Sequence, residues 1–104
     1  MLKFSIITVC FNSSDTIEST IRSVVSQDHL NIQYIIIDGA STDNTLTIIE
    51  KFKEEISIII SEKDNGLYHA INKGILLATG DIVGIIHADD FYVNSHVISE
   101  IVDV

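Results

Sequence analysis

Tyr34-Ile35-Ile36-Ile37-Asp38-Gly39 is a run of four apolar residues that stops abruptly on a turn dipeptide. A continuous apolar run, unlike an alternating one, suits a strand covered on both faces, as a central strand of a parallel sheet is. The flanking segments agree. Upstream, Phe4 to Phe11 is β-branched and apolar, and Asn12-Ser13-Ser14-Asp15 closes it with turn chemistry. Ile17, Ile21, Val24 and Val25 then recur at helical spacing through about Gln27. Asp15 with Glu18 three residues later is a capping pattern for that helix. Downstream, Ser41, Thr42 and Asp43 are capping types ahead of Leu46, Ile49 and Phe52, a helical face that runs into Lys53-Glu54-Glu55.

The alternation continues to the end of the chain. Ile56 to Ile60 reads as a third strand, closed by Ser61-Glu62-Lys63-Asp64-Asn65-Gly66. A third helix is predicted over roughly Leu67 to Thr79, with Leu67, Ile71, Gly74, Ile75 and Ala78 on one face and Gly80 as its left-handed terminator. Ile82 to Ile86 forms the fourth strand and leads into His87-Ala88-Asp89-Asp90, after which Ser95 caps a last helix carrying Val97, Ile98, Ile101 and Val102. Repeated βαβ crossovers are right-handed, so the predicted fold class is α/β, an open parallel sheet with helices on both faces.

The chain has 104 residues, 46% hydrophobic and 20% charged. That mix fits a single globular domain over 1–104 and argues against a membrane span or a disordered tail. The N-terminal run is too short for a signal peptide, is interrupted by Ser5 and Thr8, and precedes no small-residue cleavage site. Cys10, the only cysteine, can form neither an internal disulfide nor a tetrahedral zinc site. It reads as a small buried residue in a protein of the reducing cytoplasm. Fifteen acidic residues against six basic ones give a formal charge of -9. Lys51, Lys53 and Lys63 are interleaved with Glu50, Glu54, Glu55 and Glu62, so no basic footprint exists and nucleic acid is excluded as a partner.

In a parallel sheet all strands end on one rim, where open α/β sheets bind ligands. The exits here are Phe11-Asn12, Asp38-Gly39, Asp64-Asn65-Gly66 and Asp89-Asp90, three of them acidic. Carboxylates gathered with few cations make best sense around Mg²⁺ or Mn²⁺, with Asp89 and Asp90 the strongest ligand candidates. Helix capping with solvated charge is the plainer reading of that pair, and an ordinary turn the plainer reading of Asp38-Gly39. A carboxylate at position 38 can accept a nucleobase N–H. No G-x-G-x-x-G follows the first strand and no G-K-[ST] occurs, so phosphate charge has to be met by metal. His29 and His96 read as surface residues, His69 and His87 as neighbours of the rim. No two histidines have zinc spacing.

Five segments in order resemble the family 2 inverting glycosyltransferases of the GT-A fold: Ser5-Ile6-Ile7-Thr8-Val9-Cys10-Phe11-Asn12, Asp38-Gly39-Ala40-Ser41-Thr42-Asp43, Asp64 through Ile75, Ala78-Thr79-Gly80-Asp81, and His87-Ala88-Asp89-Asp90. The resemblance covers nearly the whole chain and implies the Rossmann-like nucleotide-binding half of that fold. It implies a nucleotide-diphosphate-sugar donor, most simply a UDP-sugar, contacted by Thr8, Phe11, Asn12, Asp38, Asn65, Gly66, Asn72, Ala88 and Asp89. It places metal on Asp89 and Asp90, which match the family's D-x-D type motif, and it implies a glycan or lipid-linked acceptor in polysaccharide biosynthesis, at the inner face of the membrane.

Departures from the pattern sharpen the expectations. His87 stands where the family often has Asp or Asn, and His69 where the related G-x-Y-D-A pattern has an acid. Family catalytic domains continue past the metal motif into an acceptor-binding half that carries the base. The chain therefore looks like the N-terminal, donor-binding part of a longer catalytic domain, expected to lack transfer activity alone and to self-associate through Val97, Ile98, Ile101 and Val102. Asp64, Asp81 and Asp103 are available carboxylates, but no sequence context makes any of them the base. The competing class is a non-catalytic nucleotide- or metal-binding module, which turnover distinguishes. A phospho-accepting receiver domain needs its acidic pair after the first strand, where this chain has Phe11-Asn12.

Overall fold

A computed structural model describes residues 2–28 and 31–88. Asp89, Asp90, His29, His96, Asp103 and the expected last helix lie outside the described residues. The order is β1 (Phe4–Cys10), α1 (Ile17–Val25), β2 (Ile32–Asp38), α2 (Thr45–Glu50), a 3-10 turn (Lys53–Glu55), β3 (Ile58–Ser61), α3 (Leu67–Leu77) and β4 (Ile82–His87). The strands form one parallel sheet in the order β3-β2-β1-β4. The predicted α/β class and parallel sheet are the ones observed.

All seven residues of β1 are buried, as the apolar pattern requires of a strand flanked on both edges and both faces. Phe4, Ile6, Tyr34 and Ile36 meet Ile17, Ile21 and Val24 of α1 and Ile49 of α2 on one face. Ile7, Val9, Ile35 and Ile37 meet Ala70 of α3 on the other. The polar side chains caught inside are paired. Thr8 Oγ1 lies 2.8 Å from Tyr34 Oη, and Ser5 Oγ donates to Gln33 Oε1 at 2.7 Å.

The chain steps outward from β1 to β2 and β3, then α3 carries it back so that β4 lies on the far side of β1. The strand order thus reverses between β1 and β4, and such a switch opens a crevice at the C-terminal rim. Register keeps the exits level: Cys10 pairs with Asp38, Asp38 with Ser61, and Val9 with His87.

Three local expectations are corrected. Thr16, not Asp15, occupies the cap position of α1, without a side-chain cap; the first turn is held by Ser13 carbonyl accepting from Thr16 and Ile17 N–H, and Glu18 pairs with Arg22 at 2.8 Å. The buried residues of α3 are Ala70 and Gly74, while Leu67 and Ile75 are about half exposed. Small residues let the helix approach closely: a β-carbon on Gly74 would stand 2.5 Å from Ile7 Cγ2. Gly80 does not terminate α3, which ends at Leu77 with Ala78 extended. Gly80 instead gives close passage past β1, its N–H donating to Ser5 Oγ at 2.8 Å. Val83 and Ile85 of β4, on the same sheet face as Ile7, are each 43% exposed. No helix among the described residues is long and apolar enough to cross a membrane.

Candidate functional site: the cavity at the strand exits

The first two exits are laced together. Asn12 turns the chain at φ 48° and Ala40 at φ 63°. The left-handed region suits Asn, but costs about 1–2 kcal/mol for Ala and so needs surrounding bonds to hold it. Those bonds are present. Asn12 N–H donates to Ser41 Oγ, Thr42 N–H to Asn12 Oδ1 and Ser13 N–H to Thr45 Oγ1, each at 2.8 Å. Asp43 accepts from Ser14 N–H at 3.2 Å and from Thr45. The Thr45 hydroxyl, with the Thr45 and Ser14 amides, holds the Asp43 carboxyl down to about 2.

Asp38 lies behind this lacing, fully buried. Its Oδ2 accepts from Ser41 N–H and Ser61 Oγ, both at 2.9 Å, and its Oδ1 from the Ser41 hydroxyl, with the Cys10 thiol 3.4 Å away. A carboxylate has about four lone-pair sites, and protein donors take them all. Asp38 therefore joins the ends of β1, β2 and β3. Burial, then the Asp38 charge, pushes the Cys10 thiol up, so Cys10 is a protonated donor and not a nucleophile.

At the third exit Asp64 Oδ1 accepts Gly66 N–H at 3.1 Å, and His69 Nδ1 accepts Asn65 N–H at 2.8 Å. Gly66 has φ 109° and ψ -177°, a conformation confined essentially to glycine. Gly39 sits between two of the exits: a β-carbon there would stand 3.1 Å from Asp64 Oδ2 and 3.4 Å from Phe11 Cδ1.

These exits enclose a cavity of about 460 Å³ at the β1–β4 switch. Val9, Cys10, Phe11 and Ser13 line it from the first exit, Asp64, Gly66, Leu67 and Ala70 from the third, and His87 and Ala88 from β4. Phe11 is 60% exposed, an aromatic face held at the mouth and not used in the core.

Of the residues singled out in the sequence, Phe11, Gly66 and Ala88 line the cavity, and Asn12 and Asn65 buttress its loops. Thr8 is turned into the core on Tyr34, and Asp38 is enclosed behind the loops. Asn72 is exposed on α3, two residues from Ala70 and so on the opposite side of the helix from the sheet. Asp81 accepts Lys3 N–H at 2.9 Å beside the start of β1, at the opposite end of the sheet. Asp64 is expected at the rim as part of the third strand exit, and it lines the cavity there; no role at the nucleobase is assigned to it from sequence.

Among the described residues no Lys or Arg lines the cavity; Lys73 is partly buried and paired with Glu62 at 3.1 Å. Among the described residues no group of three His, Cys, Asp or Glu side chains is placed to hold a metal. Ala88 lines the cavity and directly precedes Asp89-Asp90 in the sequence, whose carboxylates are of the hard oxygen type that Mg²⁺ or Mn²⁺ prefers. Among the described residues the cavity carries one carboxylate and no fixed cation, a charge balance in which a divalent ion is the natural partner of a phosphate ligand.

The model of the glycosyl transferase family 2 matches residues 5–103. The chain belongs to that family. It is 38% identical over 100 residues, 93% of its own length, to the UDP-Glc:alpha-D-GlcNAc-diphosphoundecaprenol beta-1,3-glucosyltransferase WfaP of Escherichia coli, and covers 39% of that protein. S. aureus TarS 1-349 in complex with UDP-GlcNAc superimposes with a TM-score of 0.89 at 25% identity, over 98% of this chain and 30% of that one. The mannosyltransferase PcManGT from Pyrobaculum calidifontis, in complex with GDP-Man and Mn²⁺, gives a TM-score of 0.83 at 26% identity over 90% and 29%. The family 2 chain thus spans less than half the length of these relatives, and its sheet is the nucleotide-binding half of the GT-A fold.

Proposed function

We propose that this family 2 chain binds a nucleotide-diphosphate sugar, a UDP-sugar in the first instance, in the cavity at the β1–β4 switch. It serves a protein that transfers the sugar, with inversion, to a hydroxyl of a glycan or lipid-linked acceptor. The observation that carries this reading is the cavity itself, with exposed Phe11 at its mouth, Asp64 and Gly66 on one wall and Ala88 leading into Asp89-Asp90. TarS bound to UDP-GlcNAc and PcManGT bound to GDP-Man and Mn²⁺ support the donor class, and WfaP supports a lipid-linked acceptor.

Each group has a task. Phe11 offers a π face on which a base stacks, and the Asp64–Gly66 turn presents polar groups to the base edge. Gly39 leaves room for Phe11 and Asp64, which a β-carbon at that position would crowd. Asp89 and Asp90 would hold a divalent ion, which would supply positive charge against the diphosphate and the leaving group. Asp38 keeps the loops in place. A carboxylate base for the acceptor belongs to the rest of the catalytic domain. The lipid-linked acceptor brings the reaction to the cytoplasmic face of a membrane.

Calorimetric titration with UDP, GDP, ADP and CDP, with Mn²⁺ and with EDTA, tests the reading. UDP binding that needs Mn²⁺ and weakens in Asp89→Asn and Asp90→Asn is expected. Equal affinity in EDTA removes the metal from the account, and no nucleotide binding at all removes the donor.

A further inference from the structure

We propose that His69 is a positioning residue of the donor cavity, acting as a neutral imidazole whose Nδ1 lone pair fixes the Asp64–Gly66 lip, so that donor binding falls in acid when this ring protonates. The inference rests on the donor reading above and adds to it a titratable switch in the cavity wall.

His69 is the third residue of α3, and Gly66, the cap residue, contributes no side-chain cap. The imidazole reaches back past it: Nδ1 accepts the Asn65 N–H at 2.8 Å, one residue upstream of the cap N–H that a Glu or Gln at this helical position takes in a capping box. Asn65 lies between Asp64 and Gly66, both lining the cavity, and Gly66 N–H is tied to Asp64 Oδ1 at 3.1 Å. One lone pair therefore holds the middle peptide of the lip, and the Asp64 carboxylate holds the next. Gly66, at φ 109°, supplies no rigidity of its own.

An accepting Nδ1 requires the proton on Nε2. The doubly protonated ring has two donors and no lone pair, so it sets N–H against N–H at Asn65. It also places positive charge against the positive end of the α3 dipole. Protonation releases the lip. The ionisable groups on the turn and the elements beside it are Lys63 and Asp64 in the same turn, Tyr68 beside the ring in sequence, Lys73 one turn along α3 with its partner Glu62, and His87 on the β4 wall of the cavity. Lys73 and Glu62 neutralise each other at 3.1 Å, and Tyr68 is 82% exposed. Lys63 and Asp64 carry the opposite charges of the turn itself, and His87 is the second imidazole of the region.

Two measurements on the 104-residue chain test this. The first follows ¹⁵N resonances of the free protein from about pH 8 to about pH 5, the range in which imidazoles titrate. The Asn65 amide is expected to move in step with the His69 ring, whose neutral form shows the Nε2–H tautomer; an Asn65 amide indifferent to His69 overturns the proposal whether or not any nucleotide binds. The second measures UDP-glucose affinity with Mn²⁺ across the same range. Wild type is expected to weaken at acid pH by about fivefold more than His69→Gln or His69→Asp, which keep an acceptor without the imidazole titration, the scale of one net hydrogen bond. His69→Ala should be weak throughout. Identical pH profiles in wild type and His69→Gln assign the acid loss to His87 or the metal site and overturn the proposal. Failure of wild type to bind UDP-glucose at any pH defeats the donor reading instead.

Discussion

Ser61 Oγ donates to Asp38 Oδ2 at 2.9 Å, so a buried carboxylate at the end of β2 fastens the end of β3. With Ser41 bonded to the same group, Asp38 is the knot behind the cavity and not its open wall. Asp38→Ala leaves those donors unsatisfied, and an orphaned buried donor costs about 1–3 kcal/mol. We expect urea denaturation to show a loss of about 2–3 kcal/mol. Unchanged stability with weakened UDP binding means that the carboxylate turns to the base instead.

Phe11 presents the opposite case. At 60% exposure it contributes little to the core, while base stacking on an aromatic face is worth about 1–3 kcal/mol. Phe11→Ala should weaken UDP binding by about tenfold, within that stacking range, and leave the thermal midpoint in place. Titration calorimetry and a thermal melt on the same sample separate the two effects.

The two glycines of the lip should fail for different reasons. A β-carbon at Gly66 meets nothing within 4 Å, so Gly66→Ala costs only backbone strain, about 1–3 kcal/mol for this region of φ and ψ. At Gly39 the β-carbon meets Asp64 Oδ2 at 3.1 Å. Gly39→Ala should weaken nucleotide binding with a smaller stability loss, because exposed Phe11 and Asp64 can move aside. Equal stability losses in the two variants contradict this assignment.

Gly74→Ala sets helix propensity against packing. Alanine gains about 1 kcal/mol in a helix interior, but overpacking a core costs about 1–3 kcal/mol. With a β-carbon 2.5 Å from Ile7 Cγ2, packing wins and a lowered denaturation midpoint is expected. A raised midpoint shows that α3 lifts off the sheet freely.

Asp43 predicts a pH dependence. Its carboxyl is held down to about 2 in the folded chain, so the unfolded chain binds that proton more readily. The contribution is whole above the unfolded carboxylate range, near about pH 4, and is lost as pH falls through about 2. Asp43→Asn should flatten that part of the acid unfolding curve. Because the group is exposed, the change at neutral pH should be small.

What the sequence revealed followed from how strongly each pattern was constrained. Tyr34 to Ile37 suited a central strand, since four consecutive apolar residues ask for cover on both faces, and the parallel sheet followed from the alternation of strands and helices, whereas the strand order did not. The face of α3 was read in part: Ile71, Gly74 and Ala78 pack toward the sheet as expected, whereas bulky Leu67 and Ile75 are half exposed and small Ala70, which the apolar pattern did not single out, is buried there together with Gly74. Strand exits told which residues reach the rim but not which way they turn. Asp38 turns inward because Ser41 and Ser61 wait there, while Asp64 turns to the cavity. Asp89 and Asp90 are carried by the family motif alone, outside the described residues.

The central claim is that the donor sits at the β1–β4 switch, and an amide-resolved NMR titration of the chain with UDP and Mg²⁺ tests it most directly. The account predicts saturable shifts concentrated at Phe11, Ser13, Asp64, Gly66, Ala70 and Ala88, abolished by EDTA. Shifts centred on α2 and the 3-10 turn, or no saturable shift at any amide, would contradict it.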